Sequence, residues 1–126
     1  MTLARFATRF AAGIALAAAI LAPASVSART PYDGSWSVLI ITRSGPCDAA
    51  YRYGLLIRDG AVIYQGSAAV NVAGKVGNNG VVSVRVWSGQ QGASGTGRLR
   101  GASGSGQWRG TGSMGTCAGV WQAERR

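Results

Sequence analysis

Histidine is absent from this sequence, and its absence removes the commonest general base, the commonest metal ligand and every Ser-His or Cys-His arrangement. Acidic residues are almost as scarce: Asp33, Asp48, Asp59 and Glu124 are the only four in 126 residues. A glycosidase needs two carboxylates facing one bond. Here Asp59 is taken up by a turn, Asp48 adjoins Cys47 in a connection, Asp33 precedes the first strand and Glu124 lies near the C-terminus. There is no G-x-S-x-G elbow, phosphate-binding loop or zinc-ligand spacing. Gly110 to Gly115 (GTGSMG) has the spacing G-x-G-x-x-G, but a dinucleotide site also needs a strand leading into a helix and a later acidic residue, and neither is present. These absences predict a protein that is not an enzyme and carries no metal or cofactor.

Long hydrophobic runs are lacking too, with one exception. Ala11 to Ala22 is an uninterrupted run of twelve small and apolar residues. A membrane-spanning helix needs roughly 20, whereas the apolar core of a secretory signal needs about 7 to 15. Arg5 and Arg9 precede the run, and Val26 with Ala28 supply the small residues of a cut after Ala28; Ala22 with Ala24 offers a second site. Residues 1–28 therefore read as a signal peptide and residues 29–126 as one exported domain, periplasmic or extracellular, with no transmembrane segment after cleavage. Without Arg5 and Arg9 the net charge falls from +9 to +7. In an oxidising compartment the only two cysteines, Cys47 and Cys117, are expected to be bridged.

What is abundant is glycine, 20 residues, set among residues that alternate with a period of two. Trp36, Val38 and Ile40 alternate with serines, and Tyr51, Tyr53, Leu55 and Ile57 alternate with Arg52, Gly54 and Arg58, the pattern of half-buried strands. Asp59-Gly60 is a strong two-residue hairpin signal, which pairs Ile57 with Val62, Leu55 with Tyr64 and Tyr53 with Gly66. Parity continues through Ala68, Val70 and Val72, which predicts one long strand bent near Gly66. A three-residue loop over Asn78 to Gly80 pairs Val76 with Val82 and Val72 with Val86; a one-residue slip would put the valines on opposite faces.

GASGTGRLRGASGSGQWRG, residues 92–110, contains a nine-residue repeat. A flexible linker has no reason to keep glycine, leucine and tryptophan in phase. Folded at Ser103-Gly104, Leu99 meets Trp108, Gly101 meets Gly106 and Gly97 meets Gly110 on one face, while Arg98 and Arg100 oppose Arg109 and Gln107 on the other. Glycine weakens a strand by roughly 0.5 to 1 kcal/mol relative to alanine. In a narrow barrel, however, it leaves room for large side chains from other walls, here Trp36, Tyr53, Tyr64, Trp108 and Trp121. The last strand, Thr116 to Glu124, carries Cys117 opposite the first connection with Cys47. The expected fold is all-β: a seven- or eight-stranded antiparallel meander, closed or nearly closed into a small barrel, with a two-sheet sandwich as the alternative.

Charge supplies the remaining signal. Arg98, Arg100 and Arg109 share the polar face of the late hairpin, with Arg85 and Lys75 extending it, and Arg98 opposite Arg109 invites an anion between them. The face suits acidic polysaccharide or lipopolysaccharide; nucleic acid is not expected at an exported location. The plain alternative is a solvated basic surface that keeps a glycine-rich domain in solution.

YDGSWSVLI near the start of the mature chain and CAGVWQAERR at its end resemble a group of small secreted alphaproteobacterial β-rich proteins of unknown function, some loosely labelled as haem-utilisation or adhesion-related. The shared segments are strand and turn signatures, so the resemblance implies fold and export. A haem role finds no axial histidine, leaving only Met114 or a tyrosine. The architecture is similar to that of avidins and lipocalins by analogy of fold alone. The expectation is an exported, non-catalytic β-domain that binds through its basic face or in a barrel mouth. A structural or adhesion-related envelope protein, or a small secreted inhibitor, is the alternative.

Overall fold

The computed structural model describes Gly13 and residues 29–126; the segment expected to be a signal peptide, residues 1–28, lies outside the described residues apart from Gly13. Eight strands follow in order: β1 (Gly34–Ser44), β2 (Ala50–Arg58), β3 (Ala61–Tyr64), β4 (Asn71–Val76), β5 (Val81–Ser88), β6 (Gln91–Arg100), β7 (Ser103–Gly112) and β8 (Gly115–Arg125). Each pairs antiparallel with the next, and β8 pairs back to β1 through Val38↔Ala123 and Ile40↔Trp121, so the sheet closes as a barrel. That last ladder excludes the two-sheet sandwich and pairs the two edges that β1 and β8 would otherwise present.

Turn chemistry sets most of the register. Asp59 and Gly60 both adopt positive φ, 51° and 76°, the I′ geometry whose twist matches the flanking strands, and Ile57↔Val62 and Leu55↔Tyr64 pair as the alternation requires. The loop at 78–80 gives Val76↔Val82 and Val72↔Val86. Cys47 and Cys117 form a disulfide that ties the β1–β2 connection to β8.

Two expectations are corrected. The single long strand from Ala61 to Val72 is instead two antiparallel strands, because residues 65–70 leave the ladder. Gln65 N donates to Gly54 O at 3.1 Å, and thereafter Tyr64 fills the place a strand would take: a Cβ at Gly66 would collide with the Tyr64 phenol, and the Ala68 amide donates to its hydroxyl. Tyr53 therefore has no Gly66 partner. The second correction concerns the late hairpin, which turns at Gly101-Ala102 rather than at Ser103-Gly104. Gly101 has φ 58° in the first central position, as a II′ turn demands. The true pairs are Leu99↔Gly104, Gly97↔Gly106 and Gly95↔Trp108. The turn moves by two residues, an even number, so every side chain keeps its predicted face.

The interior is filled unevenly. At the end where β1 starts, Trp36, Ile57, Val62, Val76, Val82, Leu99 and Ala123 are buried against one another. Residues 30–33 close this end from outside. Arg125 donates to Asp33 O and Pro31 O, both at 2.8 Å, while its guanidinium lies 4.7 Å from the centre of the Trp36 ring. The Asp33 carboxylate accepts from the Thr30 hydroxyl and from the amides of Asp59 and Gly60, joining this segment to the β2–β3 turn. Toward the other end the inward residues Ile40, Leu55, Val72, Val84 and Trp108 are only partly buried. Among the described residues no helix is long and apolar enough to cross a membrane.

Candidate functional site

The packed floor and the looser upper half together leave a cavity of about 360 Å³ inside the barrel, opening at the end that carries the 45–49 and 65–70 connections. Its walls are aliphatic and aromatic: Val38, Leu55, Val72, Val84, Trp108 and Trp121 are typical, and among the described residues no acidic or basic side chain lines it. A cleft of roughly 300 to 1,000 Å³ with apolar walls and a few polar groups is the ordinary form of a small-molecule site.

Glycine shapes this space. Gly97 and Gly106 face each other across β6 and β7, and a Cβ at Gly106 would stand 2.6 Å from the Trp121 ring. The indole thus lies where two side chains would otherwise be, and its N–H donates to Thr96 O at 3.1 Å. Trp108 uses Gly119 in the same way: its N–H reaches Ile41 O at 3.0 Å across a strand that has no Cβ at that point. The two glycines beneath Trp121 cost on the order of 1–2 kcal/mol in strand stability, whereas burying an indole of roughly 150–250 Å² contributes about 4–6 kcal/mol, so the arrangement is favourable.

Polar character enters the cavity near its mouth. Tyr53 stacks on Tyr51, with ring centres 6.4 Å apart, and meets Tyr64 edge-on at 6.0 Å. Tyr51 accepts from the Asp48 amide and Tyr64 from the Ala68 amide. Tyr53 lines the cavity, and its hydroxyl has no hydrogen-bond partner among the described residues. Burial pushes the Tyr53 phenol above its usual range, with Tyr51 and Tyr64 adding to the shift, so at neutral pH it remains an uncharged donor.

Of the aromatic residues expected inside, Trp36 and Trp121 are buried in the core, Trp108 and Tyr53 are half-buried on the cavity wall, and Tyr64 is half-buried beneath the 65–70 connection. The five basic residues all face outward and are exposed, but they do not converge. Arg98 lies opposite Ser105 and Val81 rather than Arg109, Arg100 opposite Ser103, and Lys75 opposite Ser83 and Ala61. Arg85 and Arg109 flank Ser94 in one row near the mouth, six residues along β6 from Arg100, or roughly 20 Å. Sequence reasoning missed Trp87, which also faces outward and carries the Arg85 guanidinium 5.1 Å from its ring centre. The Arg85-x-Trp87 spacing, which places both on one strand face, was the available signal.

The molecule is thus an eight-stranded antiparallel meander barrel with an apolar interior open at one end. No family model, no curated protein and no solved structure matches the chain.

Proposed function

We propose that the protein is an exported, non-catalytic carrier that holds a small apolar molecule inside its barrel. The observation behind this reading is the contrast between the two ends: Trp36 and its neighbours seal one, while the other opens on a hollow whose walls, among the described residues, carry no charge. The disulfide is compatible with export, and the expected signal segment and the resemblance to small secreted proteins point the same way. The test is titration of the purified disulfide-bonded domain with N-phenylnaphthylamine, a neutral fluorophore that brightens in apolar surroundings. Saturable enhancement at one equivalent is expected. Gly95→Leu should abolish it, because a Cβ there meets only ordinary contacts, the nearest at 3.5 Å, and the longer side chain enters the cavity. No enhancement in the unaltered protein would refute the reading.

A second reading, a polyanion-binding face, is favoured by the placement of Arg85, Arg98, Arg100, Arg109 and Lys75 on the outer surface of β4 to β7. A polymer such as an acidic polysaccharide or lipopolysaccharide could span their separation. Retention on heparin that survives physiological salt, and that is lost when Arg98, Arg100 and Arg109 are replaced by glutamine together, would support it.

A further inference from the structure

The cavity and a shallow outer groove meet over the rim of the barrel. The β6–β7 ladder ends at Gly92↔Thr111, whereas the hairpins on either side continue past it, one closing at Ser88↔Gln91 and the other at Gly112↔Gly115. Between the two hairpins is a notch whose floor is Gly92, without a side chain, and Thr111. Trp87, Gly92, Ala93, Ser94 and Thr111 line both the interior cavity and the outer groove, so the two spaces share this one section of wall.

One step down the outside from the notch, Arg85 and Arg109 stand on either side of Ser94 in paired register. Both are exposed, and neither has a carboxylate partner among the described residues. Three of the four acidic residues are remote, with Asp33 and Asp59 at the sealed end and Glu124 paired with Ser37 beside it; only Asp48 lies at the mouth. The backbones of Arg85 and Arg109 lie two strands apart, roughly 10 Å, with Ser94 between them and Thr111 nearer the rim, so the outer face here carries donors and no carboxylate acceptor among the described residues. The cavity wall, by contrast, carries no charged side chain among the described residues to meet an ionised group.

We propose that the ligand of the barrel is an amphiphile with one anionic head, a carboxylate or a phosphate monoester. Its hydrocarbon lies in the cavity, and its head crosses the notch at Gly92 to rest between Arg85 and Arg109. This rests on the interior-carrier reading. The head site also gives a role to Trp87, half-buried on this wall near the rim: its ring covers the part of the chain leaving the cavity and fixes Arg85 through their contact.

The experiment compares decanoate, decyl phosphate and decanol by titration calorimetry below their micellar concentrations. The proteins are the disulfide-bonded domain and its Arg85→Gln, Arg109→Gln double variant, whose fold is preserved because both side chains are exposed. Both anions should bind roughly tenfold or more tightly than decanol at low salt, as charge-assisted hydrogen bonds allow. The margin should narrow as salt rises. In the double variant the margin should vanish while decanol affinity is unchanged. A stronger effect for one anion identifies the head as carboxylate or phosphate. If decanol binds as tightly as both anions, or if the margin survives in the double variant, the head site is refuted while the carrier reading stands. If none of the three binds, both are refuted together.

Discussion

At the scale of single residues, the barrel depends on positions where a side chain is missing. Gly106 lies against the edge of the Trp121 indole and against the Thr96 carbonyl that the indole N–H uses. Gly106→Val should therefore unseat Trp121 and lower stability by about 1–3 kcal/mol, seen as a lower urea midpoint and a red-shifted tryptophan emission. Asp33 acts through acceptor capacity instead. Partial burial raises its pKa, but the Thr30 hydroxyl and the amides of Asp59, Gly60 and Thr30 outweigh that, so the carboxyl titrates below its ordinary value. A lowered folded-state pKa means the stabilisation is full above the unfolded pKa and is lost as pH falls through the folded one. Asp33→Asn should accordingly be less stable than the parent by about 1 kcal/mol at neutral pH, with the difference disappearing in strong acid below the usual aspartate range of about 3.9. A difference that grows on acidification would contradict this account.

At the scale of elements, the late hairpin separates what alternation can show from what it cannot. Leu99, Trp108 and the glycines of β6 and β7 face inward as their spacing implies, since the face of a strand residue depends only on parity. The position of the turn depends on local chemistry, and Gly101-Ala102 gives a weaker written signal than Ser103-Gly104 in a stretch with eight glycines among residues 92–112. The β3–β4 connection was illegible for a different reason: the Tyr64 phenol folds over Gly66, where a Cβ would otherwise stand, and accepts from the Ala68 amide, contacts that exist only once the chain has turned. The cavity was hidden as well, because its volume is what remains after eight strands close, and no local pattern encodes a remainder. The observed register can be tested directly. Asparagine tolerates positive φ, so Gly101→Asn should cost less than about 1 kcal/mol, because a Cβ there meets nothing within 4 Å. Gly104→Asn should be severely destabilising, because its Cβ would lie 2.9 Å from the Arg98 carbonyl and on the Leu99 side chain. A turn at Ser103-Gly104 would reverse that order.

At the scale of the whole molecule, closure is uneven around the barrel, and this determines where it opens. β8 is joined to β1 by a ladder of eight residue pairs, interrupted once between Thr42 and Ser44, and to β7 by one of ten. β3 and β4 are joined by the single pair Ala61↔Lys75, supplemented by the Val76 amide donating to Gly60 O at 2.7 Å. The disulfide restrains the opposite, well-paired side: it links residues 70 apart, and reducing it should cost about 4 kcal/mol in the chain-entropy account, read as a lower Tm in dithiothreitol. It does not span the weak seam. Amides of residues 62–73 should therefore exchange first, through local opening between β3 and β4, while those of β7 and β8 exchange only on global unfolding. Because the seam borders the cavity at Val62 and Val72, an occupant stabilises the closed barrel by RT ln(1 + [L]/Kd), about 2.7 kcal/mol at one hundred times Kd. Saturating decanoate should then slow exchange across residues 62–73 most strongly, and the same measurement on Gly95→Leu should show no such slowing. Uniform exchange around the barrel would mean that the seam is not the weak point and that ligand entry does not depend on it.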